Sequence, residues 1–135
     1  MTIGLHRATT AVVSGVAGIG ALAALVALDP TRRAVLPACP LHALTGLWCP
    51  GCGMTRGTYA LVTGHPIQAL SYNLFTPVIL GLIVVSWLAW AAPTLGFRQL
   101  PVRGSVSVRT GRGLLAAMAV FTVVRNIPAF SALAP

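Results

Sequence analysis

The run ATTAVVSGVAGIGALAALVAL, from Ala8 to Leu28, holds 21 residues without a charge. A bilayer core is about 30 Å thick and takes about 20 residues of helix to cross. Arg7 stands before the run, and Asp29-Pro30 closes it, because proline disfavours helix at the preceding residue. Two more runs of this kind follow. Leu74 to Ala92 has 19 uncharged residues, and Gly113 to Leu133 has 21, interrupted by Arg125, Asn126 and Pro128. The reading is an all-α integral membrane protein with three transmembrane helices, at about 8–28, 74–92 and 113–133.

Composition agrees with that class. The 135 residues are 56% hydrophobic and only 7% charged, against roughly 25% charged in an average soluble domain. All nine basic residues are arginine, and Asp29 is the single acid. Ten charges do not make a soluble surface at this size, and disordered chains are poor in apolar residues. One membrane domain over 1–135 remains. The net charge of +8 does not point to nucleic acid, since the arginines fall between apolar runs and are not interleaved with aromatics. Anionic lipid head groups are the expected counter-charge, which makes the bilayer the first partner.

Between the first and second runs lies a Cys-containing interfacial segment, 37–73. Its first part is read as a loop through Gly53, broken by Pro37, Pro40, Gly46, Pro50 and Gly51. Met54 to Thr63 is a short helix stopped by Gly64. Pro66 opens another, through about Tyr72. Both are too short to span and are placed at the interface. An arginine-rich connection occupies 93–112. Small residues four apart in the first run (Ala11 and Gly15, Ser14 and Gly18) suit close helix approach. Tyr72 and Phe75, with Trp87 and Trp90, resemble interfacial belts. Arg7 with Arg98, Arg103, Arg109 and Arg112 outnumber Arg32, Arg33 and Arg56. That bias puts the N-terminus in the cytoplasm and the Cys loop outside the cytoplasmic (inner) membrane.

The chemistry concentrates in Cys39-Pro40-Leu41-His42 and Cys49-Pro50-Gly51-Cys52-Gly53. Two cysteines separated by two residues suit one tetrahedral metal ion, and Gly53 supplies the positive φ of a tight knuckle. Cys39, Cys49 and Cys52, with His42, make a candidate zinc set. The same C-x-x-C spacing serves thiol–disulfide exchange. Cys52 near the N-terminus of the Met54 helix, with Arg56 close in sequence, would have its thiol pKa lowered, and Cys39 would resolve the disulfide. A third reading is a disulfide that braces the loop. Thr55 and Arg56 are candidate donors to sulfur or to an anion, and Asn126 with Pro128 would bend the last run over the Cys loop. An arginine inside a span is costly unless paired. Arg125 is therefore expected to pair with Asp29 or to bond backbone carbonyls of the Cys loop.

The run CPLHALTGLWCPGCGMTR, Cys39 to Arg56, resembles the signature of a bacterial membrane family, domain of unknown function 2752. Gly64, Ala69-Leu70, Asn73 and Arg125-Asn126-Ile127-Pro128 are similar to its pattern as well. The resemblance implies a small multi-pass protein in a bacterial membrane, with three fixed cysteines, no fixed histidine at the place of His42, and no established activity.

With one acid, no Ser-His-Asp set or carboxylate pair can be assembled, and with no lysine there is no nucleotide P-loop. The functional expectation is a binding, scaffold or accessory subunit. Its Cys loop holds a zinc-like ion or braces contact with a membrane partner or a second copy. A membrane thiol–disulfide oxidoreductase using Cys49 and Cys52 is the alternative.

Overall fold

The computed structural model describes residues 2–32, 39–98 and 108–134. Within them the chain is helical, without strands. Helix α1 covers Thr2–Leu28, α2 Pro40–Thr45, α3 Met54–Val62, α4 Pro66–Tyr72, α5 Thr76–Thr94 and α6 Val108–Arg125, and a 3-10 segment follows at Pro128–Leu133. The expected short helices after Gly53 and at Pro66 are α3 and α4. Gly64 adopts a φ of +85°, in the left-handed role assigned to it. Helix α2 lies in what was read as loop. Its markers are Pro40 in the first turn and Gly46 at the C-terminal end with φ +70°, the asymmetry that proline and glycine impose on helix ends. Positions 33–38 and 99–107, with Arg33, Pro37, Arg103 and much of the arginine-rich connection, lie outside the described residues.

Two described helices are long and apolar enough to cross a membrane, at His6–Leu28 and Thr76–Thr94. The third expected span is not among them. Helix α6 starts before the apolar run, so Arg109 and Arg112 lie in its first turns, and it ends at Arg125. The uncharged stretch between Arg112 and Arg125 has 12 residues, about 18 Å of helix, well short of the bilayer core. The chain then turns at Asn126-Ile127 and continues as 3-10 helix, because Pro128 lacks the N–H that would extend the α-helix.

Helices α1 and α5 meet near Ala11, Gly15, Trp87 and Ala91. Ala11 and Ala91 are buried there. The Trp87 indole N–H donates to Ser14 Oγ at 3.0 Å, which in turn donates to the Ala11 carbonyl at 3.0 Å. A Cβ on Gly15 would stand 2.8 Å from the Trp87 ring, so the small residue permits this approach. Trp87 is thus an interhelical contact and not a belt residue. Gly18, one turn on, faces open space.

At the other end, α3, α4 and the start of α5 pack around Gly57, Ala60, Ala69 and Thr76, all buried. A Cβ on Gly57 would lie 2.6 Å from Thr76 Oγ1 and 3.2 Å from the Ala69 carbonyl oxygen. Gly57→Ala should therefore lower stability by about 1–3 kcal/mol through overpacking, while Gly18→Ala should leave it unchanged or higher. Thermal melts of the two variants in detergent check this; a Gly57→Ala melt at the wild-type temperature would refute it.

Candidate metal-thiolate site

Two pieces of one segment bring the thiols together. Cys39 directly precedes α2, and its carbonyl accepts the Ala43 N–H at 2.9 Å. Cys49 and Cys52 close a tight turn, with the Cys52 N–H on the Cys49 carbonyl at 3.1 Å and the Met54 N–H on the Gly51 carbonyl at 3.0 Å. Gly53 takes a φ of +84° and leads into α3. The Cys49 N–H donates to Cys52 Sγ at 3.3 Å. The sulfurs of Cys39 and Cys49 are 3.4 Å apart, those of Cys49 and Cys52 3.0 Å, and all three lie within 4.8 Å of one another. Metal–sulfur bonds of about 2.3 Å put two sulfurs about 3.7 Å apart on a tetrahedral ion. A small outward movement of the sulfurs reaches that spacing. Cys52 is buried and the other two are half-buried.

Beyond these two backbone bonds, the turn is held by side chains from elsewhere. Asn73, buried at the end of α4, donates through Nδ2 to the carbonyls of Pro50 at 2.8 Å and Cys52 at 3.0 Å. Its Oδ1 accepts the Phe75 N–H at 2.9 Å. Asn126 grips the Trp48 peptide on both sides: Oδ1 accepts its N–H at 2.8 Å, and Nδ2 donates to its carbonyl at 2.9 Å. Arg125 donates through Nη1 to the carbonyls of Cys49 at 3.0 Å and Cys52 at 3.3 Å, and through Nη2 to Leu133 at 3.1 Å. Its guanidinium lies 4.8 Å from the centroid of the Phe121 ring, a cation–π contact. Carbonyls that a short irregular turn cannot satisfy internally are therefore paired, as buried backbone groups require.

Arg125 is 2% exposed. Of its two expected partners, the carbonyls of the Cys loop are the ones it bonds. Asp29 instead accepts from Thr31 and forms an ion pair with Arg32 at 3.5 Å. Asp29 ends α1 at a φ of +43°, and its short side chain engages the next turn of backbone there.

His42 stands outside the thiol group. Its ring stacks on Trp48 with centroids 3.7 Å apart and 15° between planes, and its Nδ1 is buried without a hydrogen-bond partner. The ligand set the fold assembles is therefore three sulfurs, and the Cys3His set is not formed. Thr55 and Arg56 are exposed on the first turn of α3 and make no hydrogen bond to sulfur among the described residues. Asn73 is the residue the motif reading left out of the site. Its signal in the sequence was an asparagine directly after a short helix, where a side-chain amide can bond free backbone groups.

The thiols differ in acidity, and not in the order expected. The His42 amide faces Cys39 from the first turn of α2 without the alignment of a full cap hydrogen bond. Together with the Cys49 thiol it lowers Cys39 to about 7. Burial, followed by the neighbouring Cys49, pushes Cys52 up to about 12. The helix start and Arg56 do not overcome that desolvation. In metal-free reduced protein, Cys39 alkylation by iodoacetamide should rise with pH through a midpoint near 7, and Cys52 should remain unmodified up to pH 9; mass-mapped alkylation reads both. Arg125→Met, which removes a charged donor from the carbonyls of Cys49, Cys52 and Leu133, should cost about 2–4 kcal/mol. Asp29→Asn should leave the melting temperature essentially unchanged, as for other surface pairs. Equal melting losses for the two variants would contradict this assignment.

No curated protein and no solved structure matches the chain. The family model that does match is Protein of unknown function (DUF2752), over residues 39–87. The matched stretch contains the three thiols, Asn73 and most of α5, so the family resemblance carried by the cysteine signature holds for the segment that builds the site.

Proposed function

We propose that this protein is a small membrane-embedded binding or accessory subunit. In this reading Cys39, Cys49 and Cys52 hold one zinc-like divalent ion as a three-thiolate centre. The observation that carries it is the convergence of three sulfurs beside one buried, permanently charged arginine. Three thiolates and a divalent cation leave a net charge of −1, and Arg125 supplies the compensating +1. The donor set fits a soft or borderline ion, and the Cys49 N–H on Cys52 Sγ is the kind of bond that favours a charged sulfur. Such an ion would lock Cys39 and α2 onto the Cys49–Cys52 turn. Its fourth position would be left for a ligand from outside the chain, supplied by a membrane partner or a second copy.

Membrane placement is supported by the two long apolar helices, whose large side chains point outward: Val16 and Ile19 of α1 and Ile83 of α5 are all more than half exposed. An apolar surface of that extent is stable against lipid and not against water. The arginine distribution favours a bacterial cytoplasmic membrane with the N-terminus inside and the thiol site outside.

A second reading has its own support. Cys39, lowered to about 7 and so part thiolate at neutral pH, stands 3.4 Å from Cys49, which is 3.0 Å from Cys52. In a thiol–disulfide exchanger Cys39 would then be the attacking sulfur on a Cys49–Cys52 disulfide. Anaerobic purification followed by elemental analysis and thiol counting on one sample separates the two. The metal reading expects about one zinc-like ion per chain, lost in each of Cys39→Ser, Cys49→Ser and Cys52→Ser and retained in His42→Ala. A metal-free protein that takes up no added Zn2+, or one with Cys49 and Cys52 oxidised to each other, would overturn it.

A further inference from the structure

Helices α1 and α5 touch at Gly15 and Trp87 and part toward the Cys-loop end. The gap is a groove of about 820 Å3. From Gly15 to Leu28 it follows α1 for about 20 Å, somewhat more than the ~15 Å depth of one bilayer leaflet's hydrocarbon. Its walls are aliphatic apart from Trp87, Ser14 and Thr55. Ser14 is occupied by Trp87 and the Ala11 carbonyl. Thr55 stands at the opposite end, at the mouth, and is exposed.

Among the described residues, the charged ones next to that mouth in sequence are Arg32, Arg56 and Asp29. Pro30 lines the groove with Thr55, Arg32 follows Pro30 closely, and Arg56 follows Thr55 directly. Both arginines are exposed. Asp29, the only acid in the chain, is held by Thr31 and Arg32. Two arginines against one acid leave the described residues beside the mouth net positive. A second copy of this chain would bring more arginine and no further acid than its own Asp29, so its charge does not suit the site.

We propose that the α1–α5 groove binds one anionic phospholipid, with acyl chains along Gly15–Leu28 and the phosphate at Thr55, Arg56 and Arg32. The proposal rests on the membrane placement above and not on the metal. It gives Thr55 and Arg56 a ligand other than sulfur.

Trp87 reports on the groove directly. In a Trp48→Phe, Trp90→Phe background it is the only tryptophan. That protein is reconstituted into phosphatidylcholine vesicles with rising fractions of brominated phosphatidylglycerol or brominated phosphatidylcholine. Phosphatidylglycerol should quench Trp87 at about threefold lower mole fraction or less, the scale of one basic contact near the surface. Arg56→Gln should shrink that preference. Gly18→Leu, whose side chain enters open space, should weaken quenching by both lipids. Superimposed quenching curves for the two lipids overturn the proposal, as does an unquenched Trp87 in a cross-linkable dimer. Flotation of the same vesicles reads membrane placement separately: protein that does not float overturns both that placement and the lipid site, whereas floating protein without lipid preference overturns the lipid site alone.

Discussion

A buried guanidinium holds the turn that presents the thiols. Removing an arginine from water costs several kcal/mol unless its donors are paired and its charge is answered. Arg125 meets most of the first condition, with Nη1 and Nη2 on the carbonyls of Cys49, Cys52 and Leu133, while its buried Nε finds no partner among the described residues. Toward the second, the Phe121 ring lies 4.8 Å from the guanidinium, while the single carboxylate of the chain is engaged at Arg32. Anchoring α6 and ordering the Cys turn are thus one interaction seen from two sides.

The same constraint explains the two asparagines. A turn such as Cys49-Pro50-Gly51-Cys52 exposes more carbonyls than it can bond, and so does the strand of chain leading into it. Water would satisfy them on an open surface, but a half-buried site at the end of apolar helices needs fixed donors. Asn73 serves from α4 and Asn126 from the end of α6. With Arg125 they hold Trp48, Cys49, Pro50 and Cys52 from outside. That rigidity lets three sulfurs stand at 3.0–3.4 Å along Cys39, Cys49 and Cys52 without any regular structure of their own. It also separates their acidities, since Cys52 is sealed beneath the turn while Cys39 remains at the edge, facing the amides of α2.

Legibility differed by element for physical reasons. The apolar runs of α1 and α5 were plain because twenty uncharged residues have few alternatives to a long apolar helix. Helices α3 and α4 were plain from Gly64 and Pro66, which act through local backbone conformation. The third run misled because hydropathy averages over position. Arg109 and Arg112 fall inside the actual helix, and Pro128 ends the α-helical geometry, so the apolar stretch is too short to span. Helix α2 was missed because six residues carry little periodicity. Trp87 was misread because an aromatic near a span end looks the same whether it faces lipid or a glycine on the neighbouring helix.

What the sequence determined alone was class and inventory: a helical chain too apolar for water, with three thiols, one acid and a stray arginine as its chemistry. Composition and spacing suffice for that, because they act locally and additively. Which groups meet was decided only by the tertiary structure. Arg125 is 76 residues from Cys49, and no local rule distinguishes its bond to a carbonyl from one to Asp29. His42, placed by spacing among the ligands, is turned onto Trp48 instead. Long-range pairing depends on how helix ends converge, and that geometry is a property of the packed chain.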